Sequence, residues 1–209
     1  MKKVCVLDYG IGNLKSLYNA FKILDTTPVL TNNHKKIKDS DFLVLPGVGA
    51  FANAMEKLKK IHLDEAIYHF IDQGKPFMGI CLGMQMLFDF SEEFGVTDGL
   101  GLIKGNVIKI PSKNKQIRLP NIGWNKIIKS NIELSSNSIL KNIRPEDYVY
   151  FIHSYCCKPK TDENVIANTV YEGVKLCASV QKNNIVGLQF HPEKSGKVGF
   201  EILKNFIKN

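Results

Sequence analysis

The sequence predicts an α/β fold, a single domain in which a mixed, mostly parallel central sheet is flanked by helices and extended by antiparallel strands. Three observations predict it. Apolar runs alternate with helix-periodic segments up to Phe90, the signature of strand–helix units building a parallel sheet. After Ser91 the helical spacing gives way to short strands separated by turn residues. No Pro/Gly/Ser-rich linker divides the 209 residues, so positions 1–209 read as one domain.

The elements follow in order. Lys3–Asp8 is an apolar run ended by Asp8 and reads as a first buried strand. It is too short for a signal peptide. Asn13–Leu24 places Leu14, Leu17, Tyr18, Phe21 and Leu24 on one helical face. Pro28–Thr31 and Asp41–Leu45 are the next strands, the latter stopped by Pro46-Gly47. Ala50–Lys59 and Asp64–Gln73 are helices, the second closed by Gly74. Pro76–Ile80 is a buried strand, and Leu82–Phe90 is expected to be a helix following it with almost no loop. Val107–Ile110, Trp124–Ile128, Tyr148–His153, Val165–Val170, Leu176–Gln181 and Ile185–Phe190 read as strands. Gly196–Ile207 closes the chain as a helix. The later strands are expected to join the parallel core in one mixed sheet.

Composition narrows the function classes. At 44% hydrophobic and 23% charged residues the chain can bury a sizeable core. No apolar run is long enough to span a membrane. The five cysteines (Cys5, Cys81, Cys156, Cys157 and Cys177) are odd in number and lack zinc-type spacing. A disulfide framework is not expected, and a reducing cytoplasm fits better. The net charge of +8 comes from scattered lysines, with arginine only at Arg118 and Arg144. No basic segment is interleaved with aromatics, so nucleic acid is not the expected partner. A solvated lysine-rich surface accounts for the charge, and a basic face toward an acidic protein or phosphorylated metabolite is the alternative.

Three segments carry chemistry. In Gly79-Ile80-Cys81-Leu82-Gly83 a buried strand turns into a helix with a glycine two positions either side of the cysteine. So sharp a turn forces unusual dihedrals on Cys81, and the glycines remove side chains that would clash. This is the nucleophile-elbow arrangement with sulfur in place of a hydroxyl. Free backbone N–H groups at the helix start can stabilise an oxyanion. A lone cysteine would read as a small core residue; the glycine frame argues for a nucleophile. In Gln189-Phe190-His191-Pro192-Glu193, Pro192 biases His191 toward an extended chain, in which residues two apart share a side. Glu193 can then hold one imidazole nitrogen while the other faces a thiol. Alone this would read as a surface turn; beside an elbow cysteine, a Cys-His-Glu triad is the better reading. Pro46-Gly47-Val48-Gly49-Ala50-Phe51 follows a buried strand, where α/β folds place ligand sites. Its glycines permit close backbone approach to a substrate.

Other signals are weaker. Tyr9-Gly10-Ile11-Gly12-Asn13 invites a dinucleotide reading, but Lys15 stands where the third glycine is needed, so no nucleotide cofactor is expected. His34, His62 and His69 sit in polar or helical settings and read as surface residues; no metal constellation appears. His153 ends a strand and rivals His191 as a base, but it has no acid two residues on.

Taken together, Pro46-Gly47-Val48-Gly49, Gly79-Ile80-Cys81-Leu82-Gly83-Met84-Gln85 and His191-Pro192-Glu193-Lys194-Ser195 resemble the class I glutamine amidotransferases. The resemblance covers almost the whole chain and implies a flavodoxin-like core. Further segments resemble the glutaminase subunits of one branch of that family: Asp8 to Leu14, Pro120-Asn121-Ile122-Gly123-Trp124-Asn125, Tyr150 to Tyr155, and Gly187 to Ser195. The resemblance implies that Cys81 attacks the side-chain amide of glutamine, that His191 moves the protons and that Glu193 orients His191. It implies an oxyanion hole from the backbone at Gly47, Val48 and Leu82. It assigns Gly49, Gln85, Ser154 and Tyr155 to holding glutamine, and Asn13, Trp124 and Lys194 to the face meeting a partner. That partner would be a (β/α)8-barrel cyclase forming a heterodimer, taking up ammonia in histidine biosynthesis. The alternative is a paralogue supplying ammonia to a different synthase, such as one amidinating a surface sugar. Because free ammonia protonates in water, a sealed interface is expected, with the Pro46–Gly49 loop completed only on partner binding.

Overall fold

A computed structural model describes residues 1–111, 117–130 and 138–208. The first half of the chain builds the parallel core: β1 (Lys3–Leu7), α1 (Leu14–Ile23), β2 (Thr27–Thr31), α2 (His34–Lys38), β3 (Phe42–Leu45), α3 (Phe51–Lys60), α4 (Leu63–Asp72), β4 (Phe77–Ile80) and the short α5 (Leu82–Gln85). The second half supplies β5 (Phe88–Ser91), β6 (Thr97–Asp98), β7 (Ile103–Lys109), β8 (Asn121–Lys126), β9 (Ile128–Lys129), β10 (Tyr148–His153), β11 (Tyr155–Pro159), β12 (Val165–Tyr171), β13 (Val174–Lys182), β14 (Ile185–Leu188) and α6 (Gly196–Phe206).

Eight strands form the central sheet in the order β2-β1-β3-β4-β14-β13-β12-β9. The first five run parallel, and the last three alternate antiparallel beyond β14. β3, β4 and β14 are buried at every residue, as strands covered on both faces must be. Their side chains alternate between two cores. Cys5, Leu7, Leu43, Leu45 and Phe77 pack with α3 and α4 through Phe51, Met55, Leu58, Ile67 and Phe70. Val4, Val6, Phe42, Val44, Met78 and Ile80 pack with α1 and α6 through Leu17, Phe21, Ile202, Leu203 and Phe206. The period-2 pattern in the strands and the helical spacing of Leu17, Ala20 and Phe21 thus set the layer order.

The mixed sheet expected from the sequence is present, but the later strands divide among three sheets. β12, β13 and β14 join the core, whereas β10 pairs with β8 in a separate ribbon and β11, β7, β5 and β6 form a four-stranded sheet. The reading of Leu82–Phe90 as one helix is corrected. Helix ends at Gln85, and Phe88–Ser91 is a strand pairing β6 and β7. Every residue from Leu82 to Phe88 is buried, so burial has no period that separates helix from strand there, and the pairing of Phe88, Phe90 and Ser91 with β7 makes the strand. The strand read as Trp124–Ile128 is two, β8 and β9, broken at buried Ile127. All five cysteines are free and buried. Among the described residues no helix is long and apolar enough to cross a membrane.

Close backbone packing at the end of β3 fixes where α5 can lie. A Cβ on Gly83 would stand 1.9 Å from the Leu45 carbonyl oxygen, and one on Gly79 would stand 2.5 Å from the Gly83 carbonyl oxygen. Both obstacles are backbone, which cannot rotate away. Gly83→Ala is therefore expected to destabilise the fold by about 3 kcal/mol, the upper end for inserting a methyl into a packed interior. Urea denaturation reads it, and a midpoint equal to that of the parent chain would refute the packing argument.

Candidate active site

Cys81 occupies the single residue between β4 and α5. Its backbone has φ 56° and ψ −111°, a conformation that costs a non-glycine residue on the order of 1–3 kcal/mol. Two constraints hold it there. The Cys81 amide donates to the Leu188 carbonyl at 2.7 Å, extending the β4–β14 pairing by one residue. Glycines at 47, 79 and 83 leave no space for any Cβ between the turn and its neighbours; at Gly47 the obstacle is Leu82, at 2.8 Å. The strained turn expected from the Gly-x-Cys-x-Gly pattern is present.

The imidazole arrives from the neighbouring strand, β14. β14 ends at Leu188, and the chain continues to His191, whose amide donates to the Tyr150 carbonyl at 2.9 Å. The Ser195 hydroxyl closes the loop, donating to the His191 carbonyl at 2.6 Å and accepting from the Tyr150 amide at 3.0 Å. His191 itself is extended, as the following proline favours. Beyond it the expectation is corrected. Pro192–Lys194 is a 3-10 turn, with proline in its first position, where its fixed φ suits a helical turn. The turn still brings Glu193 Oε1 to 2.8 Å from His191 Nδ1, with both side chains almost wholly buried.

His191 Nε2 is buried and makes no hydrogen bond. Burial favours its neutral form, but the nearby Cys81 thiol and the Glu193 carboxylate together outweigh that and lift the imidazole pKa to about 10. Cys81 and His191 line the same cavity. The Cys81 sulfur has two further polar neighbours, the Ile152 carbonyl at 3.8 Å and the Gln189 side-chain amide at 3.9 Å. His153, the rival base, has both ring nitrogens engaged. Its Nδ1 is 2.7 Å from the Tyr155 carbonyl and its Nε2 is 3.1 Å from Asn121 Nδ2. Burial chiefly, opposed by the Tyr155 bond and aided by the charge on His191, lowers its pKa to about 4.

A cavity of about 260 Å³ opens over these groups, lined in part by Val48, Gly49, Cys81, Gln85, Glu93 and His191. Leu82, Ser154 and Tyr155 line it too, so eight of the ten residues assigned from the sequence to catalysis, oxyanion or substrate surround one space. Gly47 lies buried behind it against Leu82, and Glu193 behind His191. The Pro46–Gly49 loop is anchored from beneath, where the Tyr9 hydroxyl donates to the Pro46 carbonyl at 2.7 Å, while Val48 and Gly49 are exposed. Outside the cavity, Trp124 meets Tyr150 edge-on at 5.9 Å, and the Lys194 ammonium lies 5.7 Å from the Tyr150 ring centroid. Exposed Asn13 precedes α1, which packs against the 192–194 turn. Trp124 and Lys194, two of the three residues expected to face a partner, therefore share the Tyr150 ring, and Asn13 leads into the helix that packs on the Lys194 turn. His34, His62 and His69 are exposed, as expected.

Sequence reasoning missed Glu93, Gln189 and Tyr150. Glu93 lines the cavity while its Oε2 accepts from the Phe51 amide at 2.7 Å, capping α3 just after the glycine loop. It lies in Ser91-Glu92-Glu93-Phe94-Gly95, which carries no signal beyond a polar turn. Gln189 was detectable, since it precedes His191 by two residues in an extended segment. Tyr150 was detectable only as an aromatic in a strand.

A strained cysteine and a buried histidine–glutamate pair thus meet at one cavity beside the carboxyl ends of parallel strands, where α/β folds place ligand sites. Residues 5–209 match the family described as "Glutamine amidotransferase class-I", and the chain belongs to that family. Among its relatives, "Imidazole glycerol phosphate synthase subunit HisH 1" of Legionella pneumophila (strain Lens) is 43% identical over 212 residues, covering 100% of both chains. The protein named "Imidazole glycerol phosphate synthase subunit HisH" of Caldanaerobacter subterraneus subsp. tengcongensis is 45% identical, covering 96% of this chain and 95% of its own. That of Chlorobaculum tepidum is 42% identical, covering 98% and 99%. Among solved structures, PurLQS from Thermotoga maritima matches with TM-score 0.74 at 21% identity over 99% of this chain and 98% of the other. A glutamine amidotransferase, also from Thermotoga maritima, matches at 0.69 with 16% identity over 99% and 96%. Those two likenesses show the fold.

The raised His191 pKa has a sign. The group binds its proton more tightly folded than at its ordinary 6.5, so its contribution to stability is full below that value and disappears as pH rises through about 10. Replacing Glu193 by Gln keeps a hydrogen-bond acceptor but removes the charge. In Glu193→Gln the imidazolium is expected to lose its proton at lower pH than in the parent, followed by NMR titration of the His191 ring. A titration unchanged by the substitution would show that Glu193 does not hold that charge.

Proposed function

We propose that the chain is the glutaminase subunit of an imidazole glycerol phosphate synthase, hydrolysing glutamine to glutamate and ammonia and passing the ammonia to a (β/α)8-barrel cyclase. The observation that carries the chemistry is the Cys81 turn sharing one cavity with His191, whose Nδ1 lies 2.8 Å from buried Glu193. Relatives of matching length, all named as subunits of that synthase, support the pathway.

In this reading His191 holds the proton taken from Cys81, and the sulfur attacks the glutamine amide carbon as a thiolate. A C–S bond forms and the carbonyl oxygen becomes an oxyanion. Backbone N–H groups at Leu82, free of any intrahelical partner at the start of α5, and in the Gly47-Val48 segment receive it. His191 gives its proton to the departing nitrogen, the C–N bond breaks, and ammonia leaves a glutamyl thioester. Water then attacks, giving a proton to His191 as the C–O bond forms; the C–S bond breaks to regenerate the thiolate. Glu193 keeps the imidazole oriented throughout. Gly49, Gln85, Ser154 and Tyr155 hold the substrate, and the Glu93 carboxylate receives its α-ammonium. Asn13, Trp124 and Lys194 face the cyclase, joined by Tyr150. The exposed glycine loop is completed on docking, so the isolated chain hydrolyses glutamine slowly. A cytoplasmic heterodimer is the working assembly.

Three experiments test this. Cys81→Ala in the complex is expected to lower glutamate release roughly a million-fold, the scale for removing a nucleophile. A glutamine-analogue electrophile is expected to label Cys81 in the parent chain, and labelling elsewhere alone would reject the assignment. Co-expression with the barrel cyclase is expected to yield a heterodimer with glutamate release raised over the isolated chain. Equal rates with and without the cyclase would overturn the docking-dependent loop, and co-purification with a different synthase would move the chain to the alternative ammonia acceptor.

A further inference from the structure

His153 lines the cavity but takes no part in the chemistry proposed above. The residue is 6% exposed, and its ring lies 5.7 Å from that of Phe151 between centroids. Both nitrogens are engaged. A carbonyl can only accept, so Nδ1 carries the proton and donates to the Tyr155 carbonyl at 2.7 Å. In that tautomer Nε2 accepts from Asn121 Nδ2 at 3.1 Å. Asn121, fully buried opposite His153 in the β8–β10 ribbon, is held in turn by Asn125 Nδ2, which donates to its Oδ1 at 3.1 Å. The amide orientation of Asn121 and the tautomer of His153 therefore fix each other.

The Tyr155 carbonyl has a second donor. Gln85 Nε2 donates to it at 3.1 Å and to Gln189 Oε1, also at 3.1 Å, while Gln189 Nε2 points to the Cys81 sulfur at 3.9 Å. Gln85 and Gln189 are buried. A buried amide without its acceptor cannot keep its orientation at no cost, so the direction of the Tyr155 carbonyl decides where Gln85 points. That carbonyl also ends the Ser154-Tyr155 wall of the cavity.

We propose that His153 is a positioning residue for glutamine: its Nδ1–H, oriented by Asn121, fixes the Tyr155 carbonyl, and through it the Gln85 side chain and the cavity wall. The inference rests on the glutaminase reading of this cavity. His153 touches neither the nucleophile nor the leaving group, so its effect falls on substrate binding rather than on bond breaking. It works as a neutral imidazole, because a proton on Nε2 would confront the Asn121 amide N–H.

Three substitutions test it in the full chain with the cyclase present. His153→Phe keeps the ring and removes both hydrogen bonds, and is expected to raise the KM for glutamine about tenfold, the value of one lost buried hydrogen bond, with kcat changed much less. Asn places its amide nitrogen where Nδ1 lies and Gln places its own where Nε2 lies. His153→Asn is thus expected to recover most of the KM, and His153→Gln to recover little. Thermal unfolding of each variant accompanies the kinetics, and Asn121→Ala supplies an independent perturbation expected to raise KM in the same direction. A purely structural role would lower stability and activity together, with Asn and Gln equivalent; that result, or a KM unchanged in all variants, overturns the proposal. A parent complex that fails to release glutamate from glutamine overturns the glutaminase reading itself, a result recognisable before any variant is compared.

Discussion

The backbone contact between the end of β3 and the first turn of α5 is the constraint on which the site depends. The Leu45 carbonyl and Gly83 approach so closely that no side chain fits between them. Because α5 must sit there, β4 has only one residue in which to reverse direction, and that residue is Cys81. Its positive φ is the consequence. The strain is held by the parallel pairing on both sides of β4, to β3 and to β14, each of which is buried along its whole length. Strain of this kind persists only where the surrounding structure over-determines it, and here the most deeply buried strands of the sheet do so.

The same strands bring the second half of the site into place. β14 runs parallel to β4 and ends level with it, so the chain leaving β14 passes the Cys81 turn within a few residues. It would be free to wander, but the ribbon catches it: the Tyr150 carbonyl and amide and the Ser195 hydroxyl form a short ladder with His191. The ribbon also carries Trp124 and the ring of Tyr150 on its outer side, and His153 and Asn121 on its inner side. One small antiparallel unit thus holds the imidazole, shapes the cavity wall and presents the outward aromatic face. Cys81 belongs to the parallel core and His191 to the joint between core and ribbon.

This division explains what the sequence disclosed. The parallel half was legible because each fully buried strand and each amphipathic helix satisfies its own period, and because Gly79 and Gly83 announce a close approach by their identity. Cys81, His191 and Glu193 were legible for the same reason, since each lies within a few residues of a proline or glycine that constrains the backbone. What failed was non-local. Nothing within Tyr148–His153 states that it pairs with Asn121–Lys126 instead of entering the central sheet. Leu82–Phe90 is apolar enough for a buried helix or a strand, and only the pairing of Phe88 and Phe90 with β7 decides. Glu93 was invisible because its role arises from the Phe51 amide 42 positions away. The Pro192 turn shows a different failure: the His191–Glu193 contact follows from the sequence, but two backbone geometries deliver it.

Two buried histidines line one cavity, and their opposite charge states follow from what faces each ring. For His153 both neighbours are neutral amide groups, so burial dominates and the ring stays uncharged. For His191 a carboxylate takes one nitrogen and sulfur lies near the other, so the interaction outweighs a burial penalty of the same kind. The difference does not come from depth, since both rings are almost fully covered. It comes from whether the polar atoms in contact can carry negative charge. The proposed chemistry, which moves a proton at one imidazole and keeps the other as a neutral donor, needs that separation. This chain achieves it by placing Glu193 two residues from the first ring and Asn121 across the ribbon from the second.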